Sequence, residues 1–463
     1  MFYEDIIMKY FAIIILLASL QFVQIGTVKI RTIGSFTSSF LNTEKINEVC
    51  FSKQALQQDF LQMRQTLEKN HTSLYEYTPK GLIDSLMDKN FGMIRDSMSL
   101  KEFFVLLTPI VSKIGCGHTN VWMPMSYWKQ NESNLFPLQI RLINDLVVVA
   151  GAFTKEEQIP RGSILLEINE RPISEIILEM KANYPADAMN SYFIHKAVER
   201  RFPMIYARRF GFPKEYRVLY SLPGNKTCKK KILLPATNEA VRSVVFKNFN
   251  NPDLKLTLIE DKNTAVMRIE TFIYYDKVPY FTNYLDSSFN VIYEKKIDNL
   301  ILDLRGNDGG DPFCAVPLFS YLEPEELPYF AEPYGKYSEF AKPIPRAEKA
   351  FNGNLLILLD GRCFSTNGHL CALLKHHKIG KFIGTPSGAS YKCNAGKNTT
   401  MVLKNSRIML YFGRSTYAAA VSGMDKTAPI IPDIHVNETY QDFLENRDVF
   451  MESAIEQINL LNR

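Results

Sequence analysis

Cysteine is scarce and unpatterned in this chain. Its seven residues (Cys50, Cys116, Cys228, Cys314, Cys363, Cys371 and Cys393) are odd in number and scattered, with no CxxC pair. That excludes both a disulfide framework and a zinc ribbon. Metal-ligand patterns are missing too: there is no HExxH and no His/Cys cluster at ligand spacing, so no metal is expected. Charge of one sign is equally absent. The 54 basic and 49 acidic residues leave a net charge of +5 with no long basic run, which removes nucleic-acid binding and polybasic membrane attachment from consideration. Beyond the N-terminus no stretch is long and apolar enough to span a bilayer. Internal repeats and low-complexity tracts are lacking as well.

What is present is a chain of 463 residues, 46% hydrophobic and 12% aromatic. That suffices for one large core or two to three domains. Near its start, Met8-Lys9 precedes the apolar run Tyr10 to Leu20, which gives way to Gln21-Phe-Val-Gln24. A lysine ahead of about a dozen apolar residues reads as a secretory signal ending near residue 27, with residues 1–7 an upstream extension. An uncleaved anchor is the alternative. No Cys follows the run, so a lipoprotein anchor is not indicated.

Further along, Leu56, Phe60, Met63 and Leu67 recur at helical spacing. Ser99-Leu-Lys-Glu102 is a capping box opening the run Phe103-Phe-Val-Leu-Leu107. The paired glycines of Gly115-Cys-Gly-His-Thr119 end this helix and leave His118 at a turn. Residues 135–235 change character: Leu146–Ala150 and Ser163–Ile168 read as short strands around the turn signal Pro160-Arg-Gly162. From about 245 strands and helices alternate, as in a sheet with crossover helices. Asn299–Leu304 and Asn354–Leu359 are buried-strand patterns, Lys381–Gly384 is a further strand, and Asp442 to Leu461 reads as one closing helix.

Two turns in this last region carry candidate chemistry. Ser365 lies between the Asn354–Leu359 strand and an amphipathic helix from Thr366 to about His377. A helix N-terminus offers unpaired N–H groups and partial positive charge, which suit an alkoxide and an oxyanion. The plain alternative is that Ser365 only caps its helix. Arg305-Gly-Asn-Asp-Gly-Gly310 also follows a strand, and its glycines allow close backbone approach to a ligand. It matches neither GxxxxGK[ST] nor GxGxxG, so a phosphate cradle is not expected. His369, His376 and His377 fall on the helix after Ser365, where a packed or solvated face is the simpler reading.

In order along the chain these segments resemble the tail-specific, C-terminal-processing serine peptidases. Leu300-Ile-Leu-Asp-Leu-Arg-Gly-Asn-Asp-Gly-Gly310 resembles their Asp-Leu-Arg-x-Asn-x-Gly-Gly signature. Cys363-Phe-Ser-Thr-Asn-Gly368 takes the place of the nucleophile motif. Gly384-Thr-Pro-Ser-Gly388 and Ile431-Pro-Asp-Ile434 match later stretches, and Gly115-Cys-Gly-His-Thr119 is similar to the Asp-Gly-His-Thr segment of the tricorn-core, His-containing branch. Arg161–Ile173 resembles the centre of a PDZ domain, with a generic small β-domain as the other reading.

The resemblance implies a multidomain α+β protein. A signal occupies residues 1–27, an N-terminal helical domain 45–130, an inserted PDZ-like β-domain 135–235, and a crotonase/ClpP-like α/β catalytic domain 245–463. Ser365 would be the nucleophile, with oxyanion donors at Thr366 and at Gly309 or Gly310. The base would be His118 or, as in the family's other branch, Lys392, of which His118 is preferred. Asp425 is the nearest match for an acid orienting the histidine, while Asp303 and Asp433 read as structural. Gly368 stands where the family has Glu, and Cys116 where it has Asp. No cofactor is expected. The expected partners are peptide or protein substrates, with membrane proximity through the N-terminal segment and a periplasmic or extracellular location. The alternative is a degenerate peptide- or lipid-binding protein on the same scaffold.

Overall fold

A computed structural model describes residues 50–154, 159–224, 227–247 and 254–461. The expected signal lies outside them. Among the described residues no helix is long and apolar enough to cross a membrane.

The C-terminal region is built on a six-stranded sheet. Its order is Leu254–Ile259, Thr264–Ile269, Asn299–Asp303, Asn354–Leu359, Lys381–Gly384, Ile434–His435. The first pair is antiparallel and the rest are parallel. Parallel strands covered on both faces need apolar residues at successive positions, and Asn299–Asp303 is buried throughout. Successive side chains alternate between two cores. Leu300, Leu302, Leu355, Ile357 and Leu359 pack with the helices Val278–Glu294, Pro312–Ser320 and Thr366–His376. Ile301, Leu356 and Leu358 face Ala454 and Ile458 of the Val449–Leu461 helix. Both candidate turns therefore emerge at the carboxyl ends of adjacent central strands, where open α/β sheets place ligands.

The N-terminal helices Lys53–Asn70, Lys80–Gly92 and Leu100–Ile114 share a core with Leu403, Ile408, Leu410 and Phe412 from far along the chain. The Ser99/Glu102 capping box forms, and Gly115 closes its helix in the left-handed region at φ 70°. Immediately beyond His118, the strand Asn120–Trp122 pairs antiparallel with Met409–Phe412. A second, antiparallel sheet has Leu138–Ile143, Leu146–Ala152, Ile164–Ile168, Tyr216–Ser221 and Cys228–Leu233 as successive neighbours. The helices Ile173–Ala182 and Ser191–Phe210 bury their apolar faces against it.

One expectation is corrected. The closing helix is two helices, Tyr440–Glu445 and Val449–Leu461, separated by Asn446 at φ 56°. Asparagine tolerates the left-handed conformation that ends a helix, and the Arg447 backbone N–H turns back to the Asp442 carbonyl at 3.0 Å.

Candidate active site

Ser365 occupies the N-cap position with φ 56° and ψ −126°, and its side chain makes no capping hydrogen bond. That conformation is rare outside glycine and costs energy, so surrounding structure must impose it. Here the two turns are stitched together. The Asp360 carboxylate accepts from the N–H of Gly306 at 3.0 Å and of Arg362 at 2.9 Å. Asn367 Nδ2 donates to the carbonyls of Leu304 and Asn307 at 3.3 and 3.1 Å, and Arg362 forks onto Asp308 at 2.9 and 2.7 Å. The result frees the Ser365 hydroxyl from its helix.

The hydroxyl meets His118, whose Nε2 lies 3.1 Å from Ser365 Oγ across 247 residues of sequence. The ring stacks on Phe364 at 4.8 Å between centroids and 18° between planes, and Phe364 stacks on Phe193 at 4.3 Å. Desolvation lowers the His118 pKa to about 4, keeping the imidazole neutral and able to accept a proton at neutral pH. Its Nδ1 is buried and has no hydrogen-bond partner among the described residues.

The His118 turn is fixed from several sides. Asp187 Oδ1 accepts the Gly117 N–H at 2.7 Å, and the Ala188 N–H donates to the Gly115 carbonyl at 2.8 Å. His71 Nε2 lies 2.7 Å from Thr119 Oγ1, and its Nδ1 accepts from the Ser73 N–H at 3.1 Å, so Nε2 carries the proton. Burial raises the Asp187 carboxyl to about 7, against the opposing hydrogen bond from Gly117. The Cys393 thiol also reaches Ser365. It is held well above its usual pKa, chiefly by desolvation and then by Asp187, which keeps it a neutral thiol rather than a competing nucleophile.

The glycine pair has a sharper division of labour than the sequence suggests. A side chain on Gly309 would meet the Phe364 carbonyl at 2.6 Å and the Thr366 nitrogen at 2.8 Å, so its absence lets this loop lie against the nucleophile turn. The Gly309 N–H, however, donates to Asn307 Oδ1 at 2.8 Å. The backbone N–H groups of Gly310 and Thr366 have no acceptor among the described residues. The Thr366 hydroxyl donates to the Gly310 carbonyl at 2.6 Å, tying the two together.

Lys392 and Asp425 do not join this group. The Lys392 ammonium pairs with Glu76, which Lys426 also reaches at 3.1 Å. Desolvation is the largest single effect on the Glu76 carboxyl and raises it, but the hydrogen bonds and charge of the two lysines together outweigh it and hold the group below its usual range. Exposed Asp425 accepts from the N–H and hydroxyl of Thr427, both at 2.8 Å, and does not partner His118 Nδ1. Asp303 binds Arg268 and Arg305, and Asp433 binds Lys375. At Gly368 a side chain would lie 2.6 Å from Ala389 Cβ; that contact occupies the place of a glutamate side chain. Phe364, Phe193 and Asp187 were not singled out from sequence. Phe364 had one local signal, its place beside Ser365, whereas Phe193 and Asp187 come from a distant segment with none.

The profile of Peptidase family S41 matches residues 263–436, a span that holds Gly309, Gly310 and Ser365 and leaves His118 outside. Among solved structures, mature CPAF complexed with lactacystin is similar at a TM-score of 0.62 and 12% identity, over 88% of this chain and 98% of that one. A CPAF point mutant gives a TM-score of 0.65 at 11% identity over the same shares, 88% and 98%. At such identity these likenesses speak for the fold. No curated protein matches the sequence. The Peptidase family S41 profile thus covers residues 263–436, on a fold that most of the chain shares with CPAF, and it marks the chain as a serine-type peptidase similar to that family.

Proposed function

We propose that the chain is an exported endopeptidase working through an acyl-enzyme on Ser365, with His118 as its base. The observation that carries this reading is the 3.1 Å approach of His118 Nε2 to a Ser365 hydroxyl not engaged in capping. Ser365 Oγ attacks the peptide carbonyl carbon while its proton passes to His118 Nε2. The tetrahedral oxyanion is met by the N–H groups of Gly310 and Thr366. His118 then gives the proton to the leaving amine, completing the ester. Water attacks that ester, again losing a proton to His118, and the acid departs as Ser365 recovers its hydrogen. Gly309 serves by lying close to the turn rather than by donating.

Export rests on the lysine and apolar run at residues 9–20, and sequencing the N-terminus of the mature protein tests it: an intact Met1 or Met8 contradicts it. The 138–233 sheet is the element suited to presenting an extended peptide. A fluorophosphonate probe tests the central step, since it labels only an activated serine. Labelling of the wild type and none of Ser365→Ala is expected. Absence of wild-type labelling with retained peptide binding would instead favour the degenerate binding protein.

A further inference from the structure

In a catalytic triad a carboxylate on Nδ1 orients the histidine. Here that nitrogen is buried without a partner among the described residues, yet the ring sits in reach of Ser365. Its position is held instead by a column of rings, His118 on Phe364 on Phe193, with interplanar angles of 18° and 28°. Phe364 directly precedes Ser365, so whatever fixes Phe364 fixes nucleophile and base together.

Phe193 belongs to a segment that touches the histidine turn, the turn before Ser365 and the 387–388 loop. Asp187 and Ala188 hold the Gly115–Gly117 turn. Asn190 caps the next helix by accepting from the N–H of Tyr192 and Phe193 at 2.9 and 3.0 Å, and donates to the Ser387 carbonyl at 3.0 Å. A side chain on Gly361 would strike the Tyr192 carbonyl oxygen at 2.4 Å, and one on Gly388 would meet the Phe193 ring at 2.9 Å. Ala188 and Met189 stand at φ 50° and 56°, strain that persists only where the surroundings over-determine the backbone. This segment is thus wedged between the histidine turn, the nucleophile turn and the 387–388 loop.

We propose that Phe193 is a positioning residue: it clamps Phe364, and through that ring holds the His118 imidazole against Ser365, replacing by stacking the orientation a carboxylate would give. The claim rests on the His118–Ser365 reading. It has a chemical consequence. Stacking orients the ring and keeps water away but does not neutralise an imidazolium, so loosening the column both misplaces the base and rehydrates it. The titratable groups facing His118 are His369 and Cys116, while Cys393 faces Ser365 and Asp187 is one residue removed through Gly117.

The test compares Phe193→Leu and Phe193→Met, which fill space without a flat face, with Phe193→Tyr, which keeps the ring. Peptide turnover and fluorophosphonate labelling are measured from pH 3 to 9. In the Leu or Met variant kcat should fall about ten- to a hundredfold with KM nearly unchanged, the scale of a small misplacement. The acid limb should move up from near pH 4 toward the ordinary imidazole value, whereas Phe193→Tyr stays close to wild type. A folded Leu or Met variant with wild-type kcat and acid limb overturns the proposal. So does a folded Tyr variant as impaired as Leu, or unfolding of both Leu and Met, which would assign Phe193 to core packing. Should the wild type itself fail to label, it is the His118–Ser365 reading that fails.

Discussion

At the scale of single residues, the site works by withholding partners. Among the described residues, Ser365 gives up the capping bond that most serines at a helix start make, His118 leaves Nδ1 unpaired, and the N–H groups of Gly310 and Thr366 meet no acceptor. Each is a small local cost, tolerated because neighbouring groups fix the backbone. Lys392 shows the reverse: it is fully engaged with Glu76, and Lys426 stands ready on the same carboxylate. Lys392→Ala should therefore change kcat only a few-fold and stability by about 1 kcal/mol or less, the ordinary worth of a partly exposed pair. A loss of turnover matching that of His118→Ala, measured on the same peptide, would reinstate lysine as the base.

At the scale of elements, the strand–turn–helix around Ser365 was legible because its signals are local: an apolar run, a Gly-containing turn and an amphipathic helix in succession. The Ser99 capping box was legible for the same reason. The break at Asn446 was missed because a helical pattern continues across it, and only the local backbone turn interrupts the chain. Gly309 and Gly310 could be nominated together but not told apart, since which N–H is spent depends on where Asn307 points. Gly310→Ala tests the tighter of the two. Its new Cβ would lie 2.2 Å from the Phe272 carbonyl carbon at φ 147°, where backbone faces backbone. A loss of about 3 kcal/mol, typical of severe overpacking, is expected from denaturant titration, together with lost turnover. Ser99→Ala should cost about 1 kcal/mol as a lost cap and leave the labelling rate of Ser365 unchanged, because that helix start is remote from the reacting groups.

At the scale of the molecule, the question is how residues 118 and 365 meet. Two contacts, invisible in linear sequence, answer it. The strand after His118 pairs with Met409–Phe412, and buried Asp59 accepts the N–H groups of Asn405 and Ser406 at 2.9 and 2.7 Å. These join the N-terminal helices to the 399–412 segment of the catalytic region and deliver the histidine turn. Asp59→Ala leaves those donors unsatisfied, so a loss of about 1–3 kcal/mol should accompany slower labelling of Ser365; an unchanged melting temperature would show that the docking does not depend on it. The account as a whole is tested most directly by the pH dependence of fluorophosphonate labelling in wild type and His118→Ala. A base lowered to about 4 by burial predicts a wild-type rate that rises through an acid limb near that pH and is flat above it. His118→Ala should lose at least two orders of magnitude, the usual scale of general-base removal. A limb in the range of a desolvated amine, with full labelling of His118→Ala, would contradict the pairing of His118 with Ser365.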